Sequence, residues 1–130
     1  SKKCFKKIGG LKNAMGWDTV DELLAKFHGF IVHTDKKLLV KHLRPTGKAY
    51  NVKAKRLQGK AMYGMRYGLV ITTIASLKMA VKNNSIASFW NNMAGFCNAR
   101  RNHLEYLVTK EEGKFIRNLR WANIKRKIGA

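Results

Sequence analysis

The sequence predicts an all-α protein, a compact bundle of about five helices organised around one long central helix. Apolar residues recur at steps of three and four along most of the chain, which is the spacing of a helix with one buried face. Sustained alternation and Asn-Gly hairpin turns, the marks of strands, are missing from the sequence. With 130 residues, 45% of them hydrophobic, we expect a single domain, residues 1–130, with a basic N-terminal arm over residues 1–17.

The predicted central helix covers residues 51–84, which contain no proline. Its first half is amphipathic, whereas the run from Leu69 to Leu77 is apolar on all sides and is predicted to lie inside the core. Some thirty helical residues would extend about 45–50 Å. The apolar run is shorter than the ~20 residues that a bilayer span needs. We expect Gly64 and Gly68, four residues apart, to allow close approach of another helix of the bundle.

Shorter helices are predicted on either side. Thr19 and Glu22 have the spacing of a capping box and predict a helix that continues to residue 44, just before Pro45. Ser85 is a possible cap for a third helix, residues 103–109 form a short helical piece, and a last helix covers residues 111–127. The arm, residues 1–17, has two interpretations that remain open: a basic amphipathic interfacial segment, or a solvated arm with a few apolar anchors.

The charge balance requires an anionic partner. The chain carries 27 basic and 7 acidic residues, a formal net charge of +20, and nucleic acid, an anionic membrane or an acidic glycoprotein would all neutralise it. The basic side chains predicted to contact the partner are Lys36, Lys37, Lys41, Arg44, Lys48, Lys53, Arg56, Lys60, Arg100, Arg101, Lys114, Arg117 and Arg120. The apolar side chains predicted to enter a membrane boundary are Phe5, Ile8, Leu11, Trp17, Phe115 and Trp121.

Catalysis and metal binding are not expected. The sequence has no nucleophile elbow, zinc-protease motif or phosphate-binding loop, and we expect neither catalytic residues nor a cofactor. Cys4 and Cys97 do not have the spacing of a metal site. In a secreted protein they could form one disulfide that pins the arm to the bundle, and whether they pair is left open.

Short motifs in the middle of the chain resemble the abalone sperm lysin family. The similarity is clearest over residues 35–82, with a fainter echo over residues 95–108. Its motifs are Leu39-Val40-Lys41, Leu43-Arg44, Gly47-Lys48, Lys60-Ala61-Met62-Tyr63 and Arg66-Tyr67. The chain departs from lysin itself in its aliphatic run Leu69–Leu77, in His42 where lysin has a tryptophan, and in Met65, which breaks a basic pair. These departures make it more similar to the fusogenic acrosomal branch of the family.

This resemblance implies a secreted, all-helical, non-enzymatic protein of the sperm acrosomal vesicle that later acts at the sperm and egg surfaces. The implied function is sperm–egg membrane fusion at fertilisation, with an anionic lipid membrane as partner and an egg-surface glycoprotein as a further one. We expect a monomer or a homodimer and no nucleic-acid partner. Two alternatives remain: a non-enzymatic lysin of the egg vitelline envelope, and a basic nucleic-acid packaging protein.

Overall fold

The structure, a computed structural model, describes residues 1–33, 35, 38 and 52–129, and for Val52 and Lys53 the backbone alone. Six helices cover most of these residues, and no strand occurs among them, so the predicted all-α bundle is confirmed. The helices are α1 (Lys2–Lys7), α2 (Trp17–Phe27), α3 (Val52–Gly64), α4 (Gly68–Lys82), α5 (Ile86–Arg101) and α6 (Lys110–Ile128).

The long central helix that the sequence predicts is two helices. It breaks between α3 and α4, where Arg66 and Gly68 both have left-handed backbone angles, with φ of 55° and 76°. Glycine adopts such angles without a steric penalty, whereas arginine adopts them at a cost in free energy. Contacts with the rest of the protein must therefore hold Arg66 in this conformation. Arg117 of α6 supplies one of them, because its Nη1 donates to the Arg66 carbonyl at 2.8 Å. The break therefore turns the chain, so that α4 does not continue along the axis of α3.

Helix α2 corrects two predictions. It begins at Trp17 after Gly16, whose φ is 73°, and not at a capping box of Thr19 and Glu22. Glu22 instead pairs with Lys26, one turn later, at 2.6 Å. The helix ends at Phe27, so the predicted continuation to residue 44 is wrong over the described residues that follow it.

The last two helices lie where the sequence predicts them. The segment between them is not the short helix that the sequence predicts. Ser85 is the N-cap residue of α5, although its hydroxyl makes no capping hydrogen bond. Thr109 and Glu112 form a complete capping box at the start of α6. Residues 103–109 are not helical, and they pack on the end of α3 through a hydrogen bond from the Leu107 amide to the Gly64 carbonyl at 2.9 Å.

Helices α3 and α5 form the most extensive interface and carry the core. Two glycines allow their backbones to touch: a Cβ on Gly59 would lie 1.8 Å from the Asn92 carbonyl oxygen, and one on Gly95 would lie 2.0 Å from that of Arg56. The close approach predicted for Gly64 and Gly68 is thus made mainly by another pair. The core cluster includes Ile8, Val20, Leu23, Leu24, Ala61, Met62, Met65, Ile71, Phe96, Ala99, Val108 and Ile116.

Candidate functional site

Helix α4 has an unusual burial pattern for a surface helix, with small side chains on its buried face and several large aliphatic side chains exposed. Its buried face carries Thr72, Ser76 and Ala80, small residues four apart. Ile71 is also buried, but four other large aliphatic side chains point outward: Val70, Ile74, Leu77 and Val81 are all exposed, Val81 to 76%. These four lie at steps of four, three and four, so they form one continuous stripe. The apolar run predicted to be core is therefore half surface.

The start of α5 exposes further apolar side chains beside α4. Ile86 and Trp90 are 73% and 66% exposed, and they share a helical face with Met93, three residues beyond Trp90. The Met93 sulfur lies 3.9 Å from the Thr73 hydroxyl, so this face of α5 borders α4. We call Val70, Ile74, Leu77, Val81, Ile86 and Trp90 the apolar face. Contiguous exposed apolar surface of this kind marks a site of interaction with a protein or a membrane.

Cations border the apolar face on the side of α6. Lys78, which follows Leu77 in α4, lies beside Lys127 and Arg120 of α6. The adjacent positive charge of Lys127, then burial, then the charge of Arg120 lower the pKa of Lys78. Cations that face one another in this way would be relieved by an anion placed between them. The edge of the apolar face is therefore suited to a negatively charged surface.

A second feature lies at the break between α3 and α4. Arg66 donates from Nε to the Val108 carbonyl at 2.9 Å, and its guanidinium lies 3.5 Å from the centre of the Tyr106 ring. Tyr106 in turn stacks on Tyr63 with ring centres 4.8 Å apart. Gly113 of α6 leaves room for this arrangement, because a Cβ there would lie 2.6 Å from the Arg66 Cδ.

Arg66, Tyr63 and Tyr106 line a cavity of about 350 Å³, which we call the arginine cavity. Three of its residues are arginines from three parts of the fold: Arg66 at the break, Arg100 at the end of α5, and Arg117 of α6. All seven acidic residues of the chain lie in the described part, and none lines this cavity. Glu105 and Glu112 line an adjoining concavity of about 670 Å³. The remaining lining residues of the arginine cavity are Tyr63, Gly68, Leu69, Phe96 and Tyr106.

Tyr63 of the cavity keeps its hydroxyl proton at neutral pH, because its pKa is raised. A hydrogen bond with Tyr106 and then burial raise the pKa of Tyr63, while the positive charges of Arg66 and Arg100 oppose the rise. Burial likewise raises the pKa of Tyr67, just outside the cavity, against the effect of Arg120. The cavity thus combines permanent positive charge with the neutral hydroxyl group of Tyr63.

The predicted basic residues have three different positions. Lys36, Lys37, Lys41, Arg44 and Lys48 lie outside the described residues, and Lys53 belongs to α3 with no side chain described. The exposed group is Arg56, Lys60, Arg100, Arg101 and Lys114. Arg117 and Arg120 are only partly exposed and are hydrogen-bonded within the fold: the Arg117 Nη1 donates to the Arg66 carbonyl, and the Arg120 Nη2 donates to the Tyr67 hydroxyl at 2.6 Å.

Two of the side chains predicted to enter a membrane are not exposed in the structure. Ile8 is only 8% exposed and belongs to the core cluster, where it anchors the arm. Phe115 packs against that cluster and meets Phe27 edge to face, with ring centres 5.5 Å apart. Four of the predicted residues are exposed, as that prediction requires: Phe5, Leu11, Trp17 and Trp121.

The structure has free thiols at Cys4 and Cys97. Cys4 of α1 packs against the core cluster, whereas Cys97 is exposed on α5. The disulfide considered from the sequence is therefore not formed in this structure.

The apolar face escaped sequence reasoning because a run that is apolar on all sides predicts burial on all sides. A signal was nevertheless present. Gly68, Thr72, Ser76 and Ala80 place a small residue at every fourth position, which marks the side of α4 that another helix can approach closely. Most of the large aliphatic residues, although not Ile71, then fall on the opposite side.

No helix within the described ranges is long and apolar enough to cross a membrane. The same residues contain no group of three or more His, Cys, Asp or Glu side chains arranged to hold a metal ion. Comparison of the chain with protein-family models, curated proteins and solved structures finds no match. The resemblance to the lysin family therefore rests on the residues quoted for it.

Proposed function

We propose that this protein is a cationic amphipathic sperm protein of the acrosome that binds and perturbs anionic membranes and thereby mediates sperm–egg membrane fusion at fertilisation. The observation that carries the membrane part of this proposal is the apolar face, exposed on α4 and α5 and bordered by Lys78, Lys127 and Arg120. The setting at fertilisation comes from the resemblance to the lysin family.

The mechanism has an electrostatic and an apolar step. A cation near an anionic leaflet contributes about 1 kcal/mol, so a chain with net charge +20 concentrates at such a surface and is released as salt screens it. The aliphatic side chains of the apolar face then enter the boundary between head groups and acyl chains. Lipid packing is disturbed there, and a densely charged protein held between two membranes displaces the water that separates them.

Nucleic-acid packaging explains the charge and leaves the apolar face without a role. A phosphate backbone is bound by Lys and Arg through counterion release, which needs no aliphatic surface. Val81 and Ile86, the most exposed large residues of the face, would stay in water in such a complex. For this reason membrane binding is the function that the geometry favours.

The direct test measures dye leakage and lipid mixing in vesicles of phosphatidylserine and phosphatidylcholine, with pure phosphatidylcholine vesicles as the control. We expect leakage and mixing with the anionic vesicles at low salt and a steep loss of both as salt is raised. Leakage that is indifferent to lipid charge would refute the electrostatic step. Lysis of isolated egg envelopes in the absence of lipid would instead support the envelope alternative.

A further inference from the structure

We propose that the arginine cavity is a binding site for a phosphate oxyanion and that its ligand is the head group of an anionic phospholipid. This inference rests on the proposed function and makes it specific: the protein would bind one lipid molecule in a defined site as well as adhering to the bilayer through charge. The site is formed by Arg66, Arg100 and Arg117 together with Tyr63 and Tyr106.

The donors of the cavity favour an oxyanion. Each guanidinium carries five N–H donors, and the hydrogen bonds of Arg66 to Val108 and of Arg117 to Arg66 each use one N–H. Arg100 has no side-chain hydrogen-bond partner among the described residues. The remaining N–H groups suit bidentate hydrogen bonds to phosphate. Because none of the acidic residues lines the cavity, this positive charge is not neutralised within it.

The two anchored arginines are held before any ligand arrives. Stacking on Tyr106 and the hydrogen bond to Val108 fix Arg66, and the hydrogen bond to the Arg66 carbonyl fixes Arg117. Side chains that are already ordered lose less conformational entropy on binding. The volume of about 350 Å³ lies near the lower end of the range for small-molecule sites, roughly 300–1,000 Å³.

The position of the cavity favours a lipid over a soluble phosphate ester. Leu69, which lines the cavity, is about half exposed and precedes Val70, the first residue of the apolar face. A head group in the cavity would therefore place its acyl chains where the exposed aliphatic side chains of α4 begin. An amphiphilic anion matches both halves of this surface, whereas a free phosphate ester matches only one.

The test compares Arg100→Gln with Arg101→Gln in the full chain. Both residues are exposed at the end of α5 and both changes remove one positive charge, but only Arg100 lines the cavity. Binding of monomeric dihexanoyl phosphatidic acid is measured by calorimetry at physiological salt. We expect roughly 10- to 100-fold weaker binding for Arg100→Gln, because this change removes charged hydrogen bonds to the phosphate. Arg101→Gln should bind within about twofold of the wild type, since exposed charges outside the site are screened.

Glycerol 3-phosphate and dihexanoyl phosphatidylcholine complete the test. Weaker binding of both than of the phosphatidic acid supports the site, because the first has no acyl chains and the second has no net negative charge. Equal weakening by Arg100→Gln and Arg101→Gln would overturn the site in favour of diffuse charge. Glycerol 3-phosphate binding as tightly as the lipid would overturn the choice of a lipid. If only the site proposal is wrong, the wild type still causes leakage of anionic vesicles. If the proposed function is wrong, the wild type causes no such leakage.

Discussion

Removing the apolar face without touching any charge should separate insertion into a membrane from adhesion to it. The variant Val70→Thr, Leu77→Gln, Val81→Thr keeps the net charge and nearly the shape of each side chain. The three residues are 58%, 54% and 76% exposed, so roughly two whole side chains remain to be buried when the face meets a lipid. At about 2 kcal/mol per fully buried aliphatic side chain, the gain is about 3–4 kcal/mol.

A loss of most of this free energy predicts roughly 100-fold weaker partitioning into anionic vesicles. The assay is co-sedimentation with vesicles of phosphatidylserine and phosphatidylcholine, with leakage measured on the same samples. The free energy of unfolding should change by less than about 1 kcal/mol, because the replaced side chains already face solvent and the new ones cost only tenths in helix propensity. Circular dichroism during urea unfolding checks this.

The matched control is Ile31→Thr, which changes an aliphatic side chain that is 96% exposed and lies outside α4. We expect it to bind and permeabilise vesicles like the wild type. The reasoning would be refuted if the triple variant, still folded, bound anionic vesicles as tightly as the wild type. Charge alone would then account for membrane binding, and the apolar face would have another partner.

Four further outcomes follow from the described residues. In a variant that retains Trp90 alone, anionic vesicles should shift the fluorescence to shorter wavelength more than in a variant that retains Trp17 alone; the opposite order would make the arm the inserting element. Burial raises the pKa of Asp21 above its ordinary value of 3.8. The stability of the native state should therefore fall as the pH rises from 3.8 through the pKa of the folded state. The variant Asp21→Asn should raise the melting temperature at neutral pH but not at acidic pH. Gly95→Ala should cost about 2 kcal/mol or more in urea unfolding, because its Cβ would overlap the α3 backbone. Raising salt should promote self-association of the wild type in sedimentation experiments but not of the triple variant.

The all-α class could be predicted because it depends on periodicity, which the sequence carries residue by residue. The start of α6 could be predicted for the same reason: acidic residues precede a helical pattern there, and Thr109 and Glu112 complete the cap. The break at Arg66 could not. A left-handed arginine is stable only with partners distant in sequence, such as Arg117, fifty-one residues away. Gly64 and Gly68 were compatible with either a close helix contact or a turn.

The candidate site was predicted less well than the fold, for a physical reason. Exposure depends on which elements cover a helix, and hydrophobicity alone does not determine it. Ile8 fits the pattern of an insertion residue and is core, whereas Leu77 fits the pattern of core and is exposed. The arginine cavity joins residues 66, 100 and 117, which come together only through the packing of α5 and α6 at the break.

A lipid partner would account for both the positive charge and the apolar face. A protein with an exposed aliphatic stripe tends to self-associate in water, and a net charge of +20 opposes this by mutual repulsion. An anionic polymer such as nucleic acid would neutralise the charge and leave the stripe uncovered, so the neutralised complexes would aggregate through it. An anionic bilayer neutralises the charge and covers the stripe in one binding event. Of these two anionic partners, a membrane is therefore the one that would use both features.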